Sequence, residues 1–381
     1  MAPTITQRLH LTHRIPADAA PVWLYSKASG EGVADFAPEP KASCSRAVAT
    51  RTAKKMSELP YALMSHRGGT SGFPEQYEPV VRKHFQIVYL EEFLNNKTVF
   101  APKIKAILLW WHKPTVNKEL LESLPNLKVV GSSGVGVDHM DLKLIASYGI
   151  KVTNTPRVGN DATADLGMAL MLASARNIVE VNRILCSPET KEFDVNWVGD
   201  DITEATLGII GMGNIGYNIA LRAKAFRMRI LYHNRKRRDV KEEMEVGAVY
   251  CSSIADLLQQ SDFVMIVVEL SPETYKLIGK RELQLMKPTA TLINISRGKV
   301  VDQDALVEAL ENGTIKAAAL DVTYPEPLPR KHPLLTMKNV ILTPHIGTAS
   351  DKTRRKVAEK FAANAADIIK GLTIEDIVTM P

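Results

Sequence analysis

The stretch "LGIIGMGNIG", Leu207 to Gly216, sets the tightest limit on what this chain can fold into. An apolar run of strand type leads into Gly211, Gly213 and Gly216, with Asn214 and Ile215 among them, and the helical pattern "NIALRAKAF" follows. Each glycine has its own task. Gly211 makes the tight turn, Gly213 lets the backbone approach a pyrophosphate, and Gly216 lets the helix pack close to the sheet. The helix N-terminus beyond them favours phosphate charge. A bare G-x-G-x-x-G is a weak sign, but strand, turn and helix in this order read as a dinucleotide fingerprint.

On both sides of this unit, strands alternate with helices. Before it come "YALMSH", "FQIVYL", "KAILLWW", "KVVGSSG" and "IKVTNT", with the helical runs "FPEQYEPVVRKHF" and "NKELLESLPNL" between them. After it come "RILYHN", "GAVYC", "DFVMIVVEL", "ATLINIS", "IKAAALDV" and "NVILTPHIG". Such alternation implies parallel sheets covered on both faces. The expected fold is α/β, with two doubly wound domains, Rossmann-like and flavodoxin-like. The last helical run, "DKTRRKVAEKFAANAADIIKGL", is expected to return to the first domain. The substrate domain is then discontinuous, 56–157 with 349–381, around a dinucleotide-binding domain at 158–348. "DATADLGMALMLASARNIVEVNRIL" is apolar on several faces and is expected as one long buried or interface helix.

Composition excludes some functions. No apolar run reaches the ~18 residues of a membrane span. The net charge is +6, but residues 1–55 hold eight Lys/Arg against four Asp/Glu, so four of the six charges lie there. A near-neutral body argues against nucleic acid as a partner. Prolines 3, 16, 21, 38 and 40 punctuate that extension, and no period runs through it. It reads as disordered or, from Arg8, Arg14, Arg46 and Arg51, as a mitochondrial presequence, a reading that Asp18, Glu31, Asp35 and Glu39 weaken. The cytoplasm is the default location, and the mitochondrion follows from the second reading. Cys44, Cys186 and Cys251 are far apart and odd in number, so neither a disulfide framework nor a metal site is expected. Cys186 and Cys251 are expected as buried thiols.

About 20 residues past the fingerprint an acid usually holds the adenosine ribose. Here "LYHNRKRR" puts Asn234 at that place, followed by Arg235, Lys236, Arg237 and Arg238. A neutral asparagine does not repel a 2′-phosphate, and an arginine can clamp one with two prongs. Position favours selection of NADP(H), with NAD(H) as the alternative, over a solvated turn or a nuclear-import patch. Arg235 is the expected clamp and Lys236 its helper, with Arg237 and Arg238 as surface charge.

Three segments remain. Arg297 ends the strand in "LINISRGKVVD", Glu326 lies in "ALDVTYPEPLP", and His345 ends the strand in "ILTPHIG". All three fall at the C-terminal edges of parallel strands, where ligands bind in open α/β sheets. With "SSGVGVDHMDL", "VTNTP", "DATADL", "GIIGMGNIG" and "HPLL" in order, the chain resembles the D-isomer-specific 2-hydroxyacid dehydrogenases, and among them the glyoxylate/hydroxypyruvate reductases. The resemblance covers about residues 58–381. It implies Arg297, Glu326 and His345 as the catalytic set and the backbone at Val135 and Gly136 as a holder of the substrate carboxylate. It also implies that Thr163, Val268, Glu269, Ile295, Asp321 and Gly347 line the cofactor, and that the chain forms a homodimer.

Residue chemistry agrees. A forked, permanently charged arginine can hold a carboxylate and polarise the neighbouring carbonyl. Backbone N–H groups of a glycine loop form an anion nest. Histidine is the usual proton donor to a growing alkoxide, and a carboxylate beside it orients the ring. The expected reaction is NADPH-dependent reduction of a short 2-oxo acid, of glyoxylate, hydroxypyruvate or 2-ketogluconate type, to a D-2-hydroxy acid. The rival is a dinucleotide-sensing, corepressor-like protein on the same fold. The family pattern for formate dehydrogenase has glutamine where Glu326 stands. Two departures from the family are notable. Arg227 stands where glycine is common, and Glu269 would place a buried negative charge beside the nucleotide. Trp110 and Trp111 read equally as cleft residues or as core.

Overall fold

The computed structural model describes residues 59–381 apart from 71, 193, 195, 196, 380 and 381. The readings of the extension at 1–55, Cys44 included, lie outside the described residues. Contacts divide the chain at Thr52/Ala53, and the second unit carries everything below.

Two parallel sheets organise this unit. The first holds β1 (Tyr61–Met64), β2 (Gln86–Tyr89), β3 (Ile104–Leu109), β4 (Val129–Ser132) and β5 (Lys151–Thr153), in the order β2-β1-β3-β4-β5. The second holds β6 (Thr206–Ile210), β7 (Arg229–His233), β8 (Ala248–Tyr250), β9 (Phe263–Ile266), β10 (Thr291–Asn294), β11 (Ala317–Leu320) and β12 (Val340–Leu342). Its order is β12-β11-β10-β9-β6-β7-β8. The central strands β4, β6, β9, β10 and β11 are buried at every residue. A sheet covered on both faces requires this, so these strands read as continuous rather than alternating apolar runs. In the second sheet the order reverses direction between β6 and β9, and the fingerprint glycines follow β6. Ligand crevices open outside the strand ends at such a switch point.

The helix labelled α4 (Asp351–Ile369) returns to the first sheet. Val357, Ala358, Phe361, Ala362 and Ala365 join Ala62, Met64, Phe73, Tyr77 and Trp110 in one core. Small residues allow the close approach: a Cβ on Gly131 would lie 3.6 Å from the Ala365 Cβ. The tail beyond α4 stays on this sheet, with the Val378 N–H donating to the Val152 carbonyl at 2.9 Å. Asp376, buried there, accepts from Lys360 at 2.7 Å and Arg157 at 3.2 Å. Trp110 resolves as core, edge-on to Phe73 at 5.0 Å between centroids.

The expectation of one long helix from Asp161 is corrected. The chain forms α1 (Asn160–Ala175), breaks at Arg176 and Asn177, and resumes as α2 (Ile178–Leu185). Asn177 has φ 50°, a left-handed conformation that asparagine tolerates better than most residues. Ala164, Gly167, Met168, Met171 and Ala175 of α1 are buried, whereas α2 buries nothing. Its Ile178, Val179 and Leu185 are about half exposed. Cys186 caps this surface helix and is therefore exposed, not buried as expected; Cys251 is buried. Among the described residues, no helix is long and apolar enough to cross a membrane.

Candidate active site

Arg297 leaves the end of β10 and meets the glycine loop that follows β4. Its Nε donates to Asp138 Oδ1 at 3.0 Å and its Nη1 to the Ser296 carbonyl at 2.9 Å. A Cβ on Gly136 would fall 1.7 Å from Arg297 Nη2, so only glycine lets the guanidinium lie against this backbone. Val135, beside it, is exposed, and its carbonyl accepts from Asn154 Nδ2 at 2.8 Å. Gly298 is compelled as well: a Cβ there would sit 2.1 Å from the Thr323 backbone. That contact brings the Arg297 turn against the loop that carries Glu326.

Asp321, at the end of β11, braces the histidine. Its carboxylate accepts from Thr343 Oγ1 at 2.7 Å, Ile346 N at 2.8 Å and Gly347 N at 3.0 Å, and its own carbonyl accepts the His345 N–H at 2.8 Å. Burial pushes the Asp321 carboxyl above its ordinary range despite these bonds. His345 itself has φ 53°. Left-handed backbone at a histidine persists only when the surroundings impose it. His345 Nδ1 pairs with Glu326 Oε2 at 3.0 Å, and Glu326 Oε1 accepts from Thr323 N at 3.0 Å. Burial works to raise the Glu326 carboxyl, but the His345 hydrogen bond and the charges of His345 and Arg297 hold it below its ordinary value. With Nδ1 directed at Glu326, Nε2 is the nitrogen left for a ligand. Trp111 lies edge-on to the His345 ring at 5.5 Å.

The fingerprint fits a dinucleotide. Gly211 has φ 98°, and a Cβ there would meet the Val267 carbonyl and Val268 Cγ1 at 2.7 Å. A Cβ on Gly216 would meet the Gly211 carbonyl at 2.5 Å, while one on Gly213 would meet nothing within 4 Å. The turn is thus packed where the sheet and helix meet and open where a phosphate must approach, at the N-terminus of α3 (Asn214–Ala225). Thr163, Asp321 and Gly347 come together: a Gly347 Cβ would lie 3.2 Å from Thr163 Oγ1 and 3.4 Å from Asp321 Oδ2. Ile295 is buried under α1, against Gly167.

The four bases have different fates. Asn234 faces inward: its Oδ1 accepts from Met212 N at 2.6 Å and its Nδ2 donates to the Met212 carbonyl at 3.1 Å, bracing the glycine turn. Arg235 is exposed and pairs with Glu269 at 3.2 Å. Lys236 is exposed. Arg237 makes a two-pronged bond to the buried Glu243, at 2.8 and 2.7 Å. Arg237 stays on the surface as expected, and the expectation of surface charge is corrected at Arg238, whose side chain is only 17% exposed. It donates to the Met212 carbonyl at 2.9 Å, stacks over Tyr217 at 4.8 Å and bridges Glu242 at 2.6 Å. Glu242 and the glycine turn draw Arg238 inward, whereas Arg237 stays exposed above Glu243. Glu269 is corrected too. It is exposed, with a basic partner, and carries no buried charge.

Sequence reasoning missed Asp138. It stands inside "SSGVGVDHMDL", but no spacing links it to an arginine 159 positions later. It left Trp110 and Trp111 undivided, because β3 is buried on both faces and Trp111 lies beyond its end with φ 50°, so alternation along the strand does not separate them.

Comparison with known proteins finds relatives over most of the described residues. The model of the D-isomer specific 2-hydroxyacid dehydrogenase NAD binding domain matches residues 168–347. A glyoxylate reductase of Thermococcus litoralis is 42% identical over 323 residues, 81% of this chain and 97% of that protein. One from Pyrococcus horikoshii is 43% identical, over 79% of this chain and 92% of that protein. The crystal structure of a glyoxylate reductase from Paecilomyes thermophila superposes with a TM-score of 0.71 at 30% identity, covering 84% of this chain and 98% of that one. A D-lactate dehydrogenase from Aquifex aeolicus, complexed with NAD and lactic acid, gives a TM-score of 0.70 at 27% identity, covering 81% and 96%.

Proposed function

The chain belongs to the D-isomer specific 2-hydroxyacid dehydrogenase family, and from that premise we propose that it reduces a short 2-oxo acid to a D-2-hydroxy acid with NADPH. The oxidoreductase class and the use of a dinucleotide come with the family; the direction, the substrate and the preference for the phosphorylated cofactor are our reading. One observation carries it: a histidine with a carboxylate behind it and a braced arginine gather beside a dinucleotide turn.

Gly211, Gly213, Asn214, Ile215 and Gly216 would hold the pyrophosphate, with Val268, Ile295, Thr163, Asp321 and Gly347 along the remainder of the dinucleotide. Arg235, helped by Lys236, would take the 2′-phosphate. When bound, the nicotinamide supplies the hydride. Asp138 fixes Arg297 with its Nη2 against the Gly136 backbone, and a substrate carboxylate would be held jointly by this guanidinium and by N–H groups of the Val135–Gly136 loop. The same guanidinium polarises the carbonyl oxygen. His345 Nε2 delivers a proton to the oxygen as it becomes an alkoxide, and Glu326 stabilises the imidazolium beforehand. The balance is a hydride at carbon and a proton at oxygen, giving one hydroxy acid and one oxidised dinucleotide.

In the same reading the substrate domain is 56–157 with 349–381, the dinucleotide domain is 158–348, and the exposed apolar residues of α2 contribute to a homodimer. The test is a panel of 2-oxo acids with NADPH and with NADH, following cofactor absorbance. Turnover that favours NADPH is expected. Absence of turnover with every acid would turn the assignment toward a dinucleotide sensor.

A further inference from the structure

The first sheet has a switch point of its own. From β1 the chain steps outward to β2, crosses back to β3 and runs on through β4 to β5, so the order reverses between β1 and β3. Ligand crevices open beyond the strand ends at such a point. In the second sheet the glycine turn lies there. In the first sheet the segments that follow β1, β2 and β3 surround a cavity of about 480 Å³, with Ser65, Leu90 and Lys113 among its walls. That volume falls within the roughly 300–1,000 Å³ of small-molecule sites. Asp138, Arg297, Glu326 and His345 take no part in its lining.

The lining has a definite chemistry. Leu90, Phe93, Leu94, Pro114 and Leu120 supply an apolar wall, and Leu94 is 55% exposed. Lys97 and Lys113 stand beside it, and neither has an ion-pair partner among the described residues. Glu119 is the acid of the lining, so the two lysines outweigh it by one charge before His66 is counted. Two further polar side chains are engaged elsewhere. Asn117 Oδ1 accepts from Leu120 N at 2.9 Å, and Ser123 Oγ donates to the Leu120 carbonyl at 2.8 Å. Ser65 differs. It is 6% exposed, and its hydroxyl has no hydrogen-bond partner among the described residues. Buried polar groups are nearly always bonded, so an orphaned hydroxyl in a cavity wall sets this crevice apart from ordinary surface.

Mostly apolar walls with a few polar groups are the usual make-up of a small-molecule site. A lysine ammonium attracts an anion as a point charge, without the planar fork of an arginine. One surplus positive charge suits one negative charge, and the leucines and Phe93 suit a carbon body. We propose that the crevice between β1 and β3 is a second ligand site, separate from the one at Arg297, for a small organic monoanion: a carboxylate on an apolar body. The two sites share one turn. Trp110 and Lys113 close it with backbone hydrogen bonds of 3.0 and 3.1 Å. Trp111 lies edge-on to His345, while Lys113 lines the crevice.

The experiment is a saturation-transfer NMR titration of the full chain with benzoate, which carries one charge on an apolar ring and has no 2-oxo group to be reduced. Its outcome is therefore independent of any turnover. The wild type is expected to bind benzoate with a Kd of about 1 mM or tighter, within reach of a ligand this small. Benzamide has the same shape without the charge and should bind at least about fivefold more weakly. The double variant Lys97→Ala/Lys113→Ala should lose about tenfold in benzoate affinity, the sum of two exposed charge contacts. Arg297→Ala should hold the wild-type affinity within about twofold, as expected of separate sites. Thermal melting reports whether each variant is folded. No saturation by about 20 mM benzoate overturns the inference. Equal binding of benzoate and benzamide overturns it even if no variant folds. Unchanged affinity in the lysine variant, or a loss in Arg297→Ala as large as that in the lysine variant, overturns it too.

Discussion

Two charged clusters sit at the strand ends of this molecule, and they are built in opposite ways. The candidate catalytic cluster joins residues remote in sequence: Arg297 meets Asp138 across 159 positions, and His345 meets Glu326 across 19. The basic run at Arg235 to Arg238 is contiguous, yet its members scatter, two of them to acids four and six positions away. Closeness in sequence therefore says little about shared work. Four residues distant in sequence meet in two bonded pairs, while four neighbours turn to different partners.

Substitutions in the two clusters should behave differently. His345→Gln removes the proton donor and should lower kcat by about a thousandfold or more, within the range for general acid catalysis. Cofactor affinity, measured by fluorescence, should persist, because the imidazole takes no part in the glycine turn. Asp138→Ala releases the arginine and should cost about a hundredfold in kcat/KM, the usual effect of misplacing a reacting group. Asp138→Asn keeps one acceptor and should recover part of that loss; if both variants match the wild type, Asp138 does not position Arg297.

Within the basic run the arginines should separate. Arg235→Ala is expected to raise KM for NADPH about tenfold, the worth of a hydrogen bond to a charged group, with little change for NADH. Arg238→Ala should instead lower the melting temperature and weaken both dinucleotides alike, since its guanidinium braces Met212 and Tyr217. Equal selectivity changes in the two variants would show that Arg235 and Arg238 serve the cofactor in the same way.

The smallest effects concern pH and the outer acid. Glu326 is held below its ordinary value, so its favourable pairing is fully present above the ordinary value of 4.5 and is lost only as pH falls through the lower folded value. The melting-temperature gap between wild type and Glu326→Gln should stay constant from neutral pH to about 4.5 and close below it. A gap that closes between pH 7 and 5 would contradict this. Glu269→Gln removes the counter-charge of Arg235; for an exposed pair the gain in NADPH affinity should be about two- to fivefold. No change would show that the pair at 3.2 Å is electrostatically silent.

Much of the site was legible because its glycines are compelled by sterics. Gly136, Gly211, Gly216 and Gly298 each sit where a Cβ would collide, and short motifs therefore betray them. The candidate trio stood out because all three residues fall at strand ends that share one edge of the sheet, and the family resemblance joined them. The partition of the basic run was not legible, because inward or outward direction depends on Glu242 and Glu243, which lie on a neighbouring helix. Nor was the break in the long apolar segment, where Asn177 adopts a backbone that local composition does not demand.

The residue order was enough for the α/β class and the dinucleotide turn, because backbone geometry is a local property written in residue type, and the family resemblance singled out Arg297, Glu326 and His345 as candidates. Only the tertiary structure decided that Asp138 holds Arg297, that Trp110 is core while Trp111 faces His345, and that Arg238 supports the turn. Those outcomes depend on which surfaces meet when two sheets and their loops are packed, and a long-range contact leaves no spacing in the chain to announce it.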